Sequence, residues 1–76
     1  MIDLYVLETC PYCRKVMDFL EENNISYNKF DITDPENHAK LLDLGGSDQV
    51  PFLYDSKNNI KMYESDDIIA YMTKRC

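Results

Sequence analysis

The segment Cys10-Pro11-Tyr12-Cys13 of this 76-residue chain contains two cysteines separated by two residues. Two thiols at this spacing could carry out thiol–disulfide exchange. Proline is favoured at the first position of a helix, so Pro11 predicts a helix start with Cys10 at the cap position. On the first turn, this spacing brings the two sulfurs close enough to bridge, and the helix N-terminus favours the Cys10 thiolate. We therefore expect Cys10 to attack a disulfide and Cys13 to resolve the mixed disulfide.

The cysteine pair has two alternative roles, in a zinc site or in a structural disulfide. A zinc site needs four ligands, and the remaining candidates are only His38 and the terminal Cys76. A structural disulfide across so short a loop would stabilise little, and a reducing compartment would tend to open it. We favour the redox interpretation and expect packing or a free thiol for Cys76, and a surface or half-buried position for His38.

Composition and charge limit the classes of partner. Fourteen acidic against eight basic side chains give a net charge of -6, which repels nucleic acid and anionic lipid heads. The sequence has neither a membrane-spanning apolar run nor a secretory leader pattern, so we expect a cytoplasmic protein. Its length predicts a single domain over residues 1–76.

In the first half of the chain, the spacing of apolar residues and the turn-forming residues predict a strand, a helix and a second strand. The apolar run Ile2 to Leu7 predicts a buried strand. The next helix should run from Pro11 to about Asn23, and a looser strand lies within Ser26 to Ile32. The apolar stripe of this helix consists of Cys13, Val16, Met17 and Leu20. Cys13 should therefore face the core, and Cys10 should lie at the exposed tip of the helix.

The second half predicts a helix, a hairpin and a final helix. Asp34 caps a helix that the glycine pair at 45–46 ends. Strands over Val50 to Tyr54 and Asn59 to Tyr63 form the hairpin. The last helix begins at Ser65, with this serine as its cap. The order β-α-β-α-β-β-α predicts an α/β fold: one mixed four-stranded sheet flanked by three helices.

A Cys-Pro-Tyr-Cys motif after a first strand resembles the active site of the dithiol glutaredoxins, and the resemblance covers essentially the whole chain. It implies a thioredoxin-like fold and a glutathione-dependent thiol–disulfide oxidoreductase with a redox-active disulfide between Cys10 and Cys13. Its substrates would be protein disulfides or glutathione mixed disulfides, in electron transport and cell redox homeostasis. Glutathione is then a co-substrate, with no bound cofactor and no metal.

Further segments fit the resemblance and suggest a glutathione groove. Val50-Pro51 resembles the family's valine–proline, whose cis proline faces the cysteines and whose preceding backbone pairs with glutathione, although a proline can simply open a strand. Ser65 and Asp66 would hold the γ-glutamyl carboxylate at a helix N-terminus, although capping explains the same residues. Tyr12 would line the groove or only fill the motif.

The sequence also departs from the glutaredoxin pattern. Leu7 stands where many members have a lysine, and Glu8 adds charge of the wrong sign, which Arg14 and Lys15 would partly compensate. Before the last helix, residues 62–64 replace a glycine pair. The pair at 64–65, Glu-Ser, instead resembles the glutathione-binding element in the N-terminal domain of glutathione transferases.

Three rival functions stay open at this point. One is a redoxin fed by thioredoxin reductase that serves ribonucleotide reductase, although the absence of tryptophan argues against one such subfamily. Another is an iron–sulfur cluster carrier, which Pro11 and the second cysteine disfavour by family resemblance. A binding or assembly module without turnover is the third.

Overall fold

Seven elements follow one another in the predicted order along residues 2–75, the part of the chain that the computed structural model describes. They are β1 Ile2–Val6, α1 Pro11–Glu22, β2 Asn28–Asp31, α2 Pro35–Gly45, β3 Phe52–Asp55, β4 Ile60–Met62 and α3 Ser65–Arg75. The strands form one sheet in the order β2-β1-β3-β4, in which β1 is parallel to β2 and β3 is antiparallel to both β1 and β4. The predicted α/β fold is therefore confirmed.

The central position of β1 explains its nearly continuous apolar sequence. One face of the sheet is covered by α1 and α3, which pack against Leu4 and Val6, and Tyr5 lies on the other face with Leu41 of α2 and Phe52 of β3. A strand buried on both faces has no position for alternating polar residues. Cys13 belongs to the core on the face covered by α1 and α3. The apolar stripe that packs α1 against the sheet therefore includes the second cysteine of the motif.

Helix boundaries confirm some capping predictions and correct one. Asp34 caps α2 by accepting a hydrogen bond from the Glu36 N–H at 2.9 Å, and Gly46 ends it in the left-handed conformation with φ of 80°. The prediction that the last helix begins at Ser65 is confirmed, but the cap position belongs to Glu64. Ser65 is the first residue of α3, and the carbonyl of Glu64 accepts the first helical bond, from the N–H of Ile68 at 3.0 Å.

The strands are shorter than the sequence predicts. The strand expected within 26–32 covers only Asn28–Asp31, and β3 begins at Phe52, after Val50 and Pro51. Backbone pairing ends where no partner strand continues, which local propensity does not encode. Between residues 2 and 75, no helix is long and apolar enough to cross a membrane.

Candidate active site

Cys10 occupies the N-cap position of α1, as predicted, with extended backbone angles of φ -84° and ψ 120°. Its N–H donates to the Leu7 carbonyl at 3.0 Å, and its own carbonyl accepts from the Arg14 N–H at 3.1 Å. These bonds fix the backbone at the point where β1 leads into the helix. The Cys10 side chain makes no capping bond, packs partly against the core and belongs to a partly exposed residue at the positive end of the helix.

Cys13 has the opposite environment. Its side chain is fully buried against α3 and the sheet, and both motif cysteines are thiols in this structure. Burial raises the pKa of the Cys13 thiol to about 12, and a hydrogen bond with Cys10 adds to the rise, while a hydrogen bond with the Leu7 backbone acts against it. At neutral pH Cys13 therefore keeps its proton.

A groove of about 200 Å³ opens beside the motif, with Tyr12 in its wall two residues after Cys10. The start of α1, the segment before β3 and the start of α3 meet there. The groove is lined by Tyr12, Gln49, Val50, Pro51, Tyr63, Glu64, Ser65 and Asp66. All five residues proposed for glutathione from the sequence are therefore brought together on one surface.

The wall before β3 is formed by Val50 and Pro51. The peptide bond between them is cis, as the resemblance implied, and Pro51 is buried while Val50 is half-buried. The backbone of Val50 therefore borders the groove. Its pairing with the peptide part of glutathione stays a prediction.

The opposite wall is the first turn of α3. The chain enters it through Glu64, a non-glycine residue with φ of 69°, after which Ser65 is buried and Asp66 is exposed. Asp66 accepts a hydrogen bond from the Lys15 ammonium of α1 at 2.6 Å. The start of α3 thus presents N–H groups, a hydroxyl and a carboxylate to the groove, a combination suited to an amino-acid headgroup.

A family model described as "Glutathione S-transferase, N-terminal domain" matches residues 4–75. The chain belongs to this family. The match agrees with the resemblance of Glu64-Ser65 to the glutathione-binding element of the transferases, at the wall of the groove just described.

Curated relatives of this family member include two glutaredoxins. Glutaredoxin 1 of Rickettsia typhi is 32% identical over 56 residues, which is 70% of this chain and 54% of that protein. Glutaredoxin 1 of Rickettsia conorii gives the same identity over 55% of its length. The chain spans about half the length of these relatives. They support the glutaredoxin resemblance within the thioredoxin superfamily.

Solved structures confirm the thioredoxin-like fold. The thioredoxin-like protein BC3987 superposes with a TM-score of 0.82 at 25% identity, over 97% of both chains. Human glutathione-S-transferase T1-1 gives 0.83 at 23% identity, over 99% of this chain and 32% of that one. Glutathione transferase Omega 3C from Trametes versicolor gives 0.85 at 24% identity, over 97% of this chain and 33% of that one. The transferases thus match over about a third of their length.

Tyr63 is the part of this family member's site that the sequence analysis missed. Its hydroxyl donates to the Ser47 carbonyl at 2.9 Å and accepts from the Ser47 N–H at 3.3 Å, and its ring packs on Phe52 at 4.7 Å. Gly45 allows this approach, since a Cβ there would lie 2.8 Å from the Tyr63 ring. Tyr63 therefore ties the segment before Pro51 to the end of β4.

Gln49 also lines the groove without having been predicted as a site residue. It immediately precedes the valine–proline pair, and this proximity in the sequence is the signal that could have identified it. Glu64 lies in the groove as well, as the first residue of the Glu-Ser pair that the sequence indicated.

The charges next to the motif are arranged differently from the expectation. Glu8, whose sign was considered unfavourable, forms an ion pair with Lys29 of β2. Lys15 is bound to Asp66, and the charge of Arg14 acts on Tyr27. Compensation for Glu8 is thus supplied by a strand neighbour 21 residues away.

Two chemical candidates from the sequence remain, His38 and Cys76. His38 is half-buried on α2, as the sequence suggested, and Cys76 lies outside the described residues. Within residues 2–75, no group of three or more His, Cys, Asp or Glu side chains is arranged to hold a metal ion.

Proposed function

We propose that this chain is a glutathione-dependent thiol–disulfide oxidoreductase that reduces glutathione mixed disulfides or protein disulfides. The observation that supports it best is the groove beside the motif, in which Tyr12, the Val50-Pro51 wall and the start of α3 meet. The glutaredoxin relatives support the redox chemistry, and the transferase family supports glutathione as the ligand.

Cys10 performs the first step. Its thiolate attacks the glutathione sulfur of a mixed disulfide, so that a Cys10–glutathione disulfide forms and the target leaves as a thiolate that takes up a proton. Cys13 is unsuited to this attack because it is buried and protonated at neutral pH.

Two routes return the enzyme to the dithiol. A second glutathione thiolate attacks the glutathione sulfur held by Cys10, which releases glutathione disulfide and the Cys10 thiolate. Alternatively, Cys13 loses its proton and attacks Cys10, which releases glutathione and leaves the Cys10–Cys13 disulfide for reduction by two further glutathiones. Both routes balance two electrons per substrate disulfide.

The groove would hold glutathione in an extended form. The Val50 backbone pairs with the peptide, and the N–H groups at the start of α3 bind the γ-glutamyl carboxylate together with the Ser65 hydroxyl. Asp66 then accepts from the γ-glutamyl ammonium. Reduction by glutathione also suits a cytoplasmic location, which belongs to the same proposal.

Mapping of glutathione attachment tests this assignment. Each protein carries Cys76→Ser, is incubated with glutathione disulfide and is analysed by intact mass. We expect the Cys13→Ser variant to hold one glutathionyl group and the Cys10→Ser variant to remain unmodified at the same time point. Equal labelling of both variants would reject Cys10 as the nucleophile, and reduction of the wild type by thioredoxin reductase alone would favour the redoxin alternative.

A further inference from the structure

Lys15 and Asp66 join two elements of the site. The Lys15 Nζ lies 2.6 Å from Asp66 Oδ1, and the pair connects the third residue after Tyr12 on α1 with the first turn of α3. Asp66 lines the groove as well. The Asp66 carboxylate therefore contacts Lys15 of the same chain and also borders the space that a ligand would fill.

A ligand ammonium group that enters the groove would compete with the Lys15 ammonium for the Asp66 carboxylate. A ligand ammonium that binds Asp66 must either displace the Lys15 ammonium or share the carboxylate with it, and two like charges around one carboxylate repel each other. A ligand carboxylate has a separate partner in the N–H groups at the start of α3. Lys15 would thus weaken the binding of the ligand ammonium more than the binding of the other groups of the ligand.

We propose that Lys15 is a specificity-determining residue that competes with the ammonium of a γ-glutamyl ligand for Asp66 and so lowers the preference of the groove for ligands with that amino group. This inference rests on the proposed function, because it takes glutathione as the occupant of the groove. The Lys15 and Asp66 side chains are 54% and 83% exposed. The effect is therefore limited to about two- to fivefold in affinity, the range that an exposed ion pair supplies.

A pair of ligands separates this role from a general effect of charge. S-methylglutathione cannot exchange disulfides, and its analogue with a glutaryl group in place of γ-glutamyl lacks only the α-amino group. Dissociation constants for both are measured by NMR titration of the isotope-labelled wild type, Lys15→Gln, Lys15→Arg and Arg14→Gln. Arg14→Gln is the matched control, since it removes one positive charge from the adjacent position, whereas the ion pair with Asp66 is made by Lys15.

For Lys15→Gln, we expect S-methylglutathione to bind about two- to fivefold more tightly and the glutaryl analogue to show no gain. Lys15→Arg should keep the wild-type ratio between the two ligands, and Arg14→Gln should leave that ratio unchanged.

Three results would overturn the inference. Lys15→Gln could shift both ligands by the same factor, which would make Lys15 a general charge. It could weaken S-methylglutathione, which would make Lys15 a direct ligand group. If the wild type binds neither ligand, the proposed function itself fails and this inference fails with it, whereas wild-type binding with an unchanged ratio in Lys15→Gln rejects only the role of Lys15.

Discussion

Cys13 is fully buried one turn along α1 from Cys10, which occupies the partly exposed N-cap position of the same helix. The two thiols of the motif are therefore unequal before any substrate arrives. The accessible one lies at the helix N-terminus, and the other lies in the core formed by α1, α3 and the sheet. This difference supports the proposed roles, in which Cys10 attacks and Cys13 resolves.

The first prediction concerns the alkylation of Cys13. In a Cys10→Ser/Cys76→Ser variant, iodoacetamide should modify Cys13 at least about tenfold more slowly than an ordinary thiol near pH 8. Burial, the largest cause of the raised Cys13 pKa, remains in this variant, whereas the contribution of the Cys10 thiol is lost.

The pH dependence of the alkylation rate reports the direction in which the Cys13 pKa is shifted. A raised pKa keeps the thiol protonated, so the alkylation rate should keep rising up to about pH 10 instead of reaching a plateau near the usual cysteine range. The same variant unfolded in urea is the control. A plateau below about pH 9 in the folded protein would show that burial does not hold the proton on Cys13.

The second prediction concerns the Tyr63 hydroxyl. Tyr63→Phe removes both bonds to Ser47 and should lower the free energy of unfolding by about 1–2 kcal/mol. The segment before Pro51 would loosen while Cys10 is untouched, so KM for glutathione should rise more than kcat falls. Urea titration and steady-state kinetics measure the two effects. Tyr54→Phe on β3 is the matched control, and an equal loss in both variants would argue against the role of Tyr63.

The third prediction concerns the close approach of Tyr63 to Gly45. Gly45→Ala places a Cβ 2.8 Å from the Tyr63 ring and 3.1 Å from Phe52, so the free energy of unfolding should fall by about 1–3 kcal/mol. Thermal melts of Gly45→Ala, Tyr63→Leu and the double variant form a cycle. The smaller leucine should relieve part of the cost. Strict additivity of the two changes would mean that the clash does not occur.

The fourth prediction concerns the buried carboxylate at the end of β3. Asp55 Oδ2 accepts hydrogen bonds from Tyr71 at 2.8 Å and from Asn58 at 2.9 Å, which joins α3 and the hairpin turn to the sheet. Tyr71→Phe should cost about 1.5–3 kcal/mol of stability, because the acceptor is buried. Tyr27→Phe, which removes an exposed bond to Glu21, should cost under about 0.5 kcal/mol in the same urea titration. Similar losses for both would contradict the distinction.

Local signals in the sequence predicted the element order and most helix ends. Pro11 marks a helix start, Asp34 caps α2 and Gly46 ends it, and the stripe of α1 correctly placed Cys13 in the core. Each of these depends on a backbone or side-chain property of a few neighbouring residues. Ser65 was assigned to the cap because serine is favoured there, whereas the structure has Glu64 at that position with a positive φ that composition does not indicate.

Contacts between distant residues could not be predicted in this way. The pairs Lys15–Asp66 and Glu8–Lys29 join residues 51 and 21 positions apart, and Tyr63 meets Ser47 across 16. Which side chains meet depends on the packing of helices against the sheet, not on local propensity. The cis bond before Pro51 was expected only through the glutaredoxin resemblance.

The most direct test of the central claim is turnover of a small glutathione mixed disulfide by the purified protein with glutathione and glutathione reductase, followed by loss of NADPH. We predict turnover by the wild type, its loss in Cys10→Ser and its retention in Cys13→Ser, because glutathione can resolve the intermediate without the second cysteine. Turnover that survives in Cys10→Ser, or its absence in the wild type, would contradict the account.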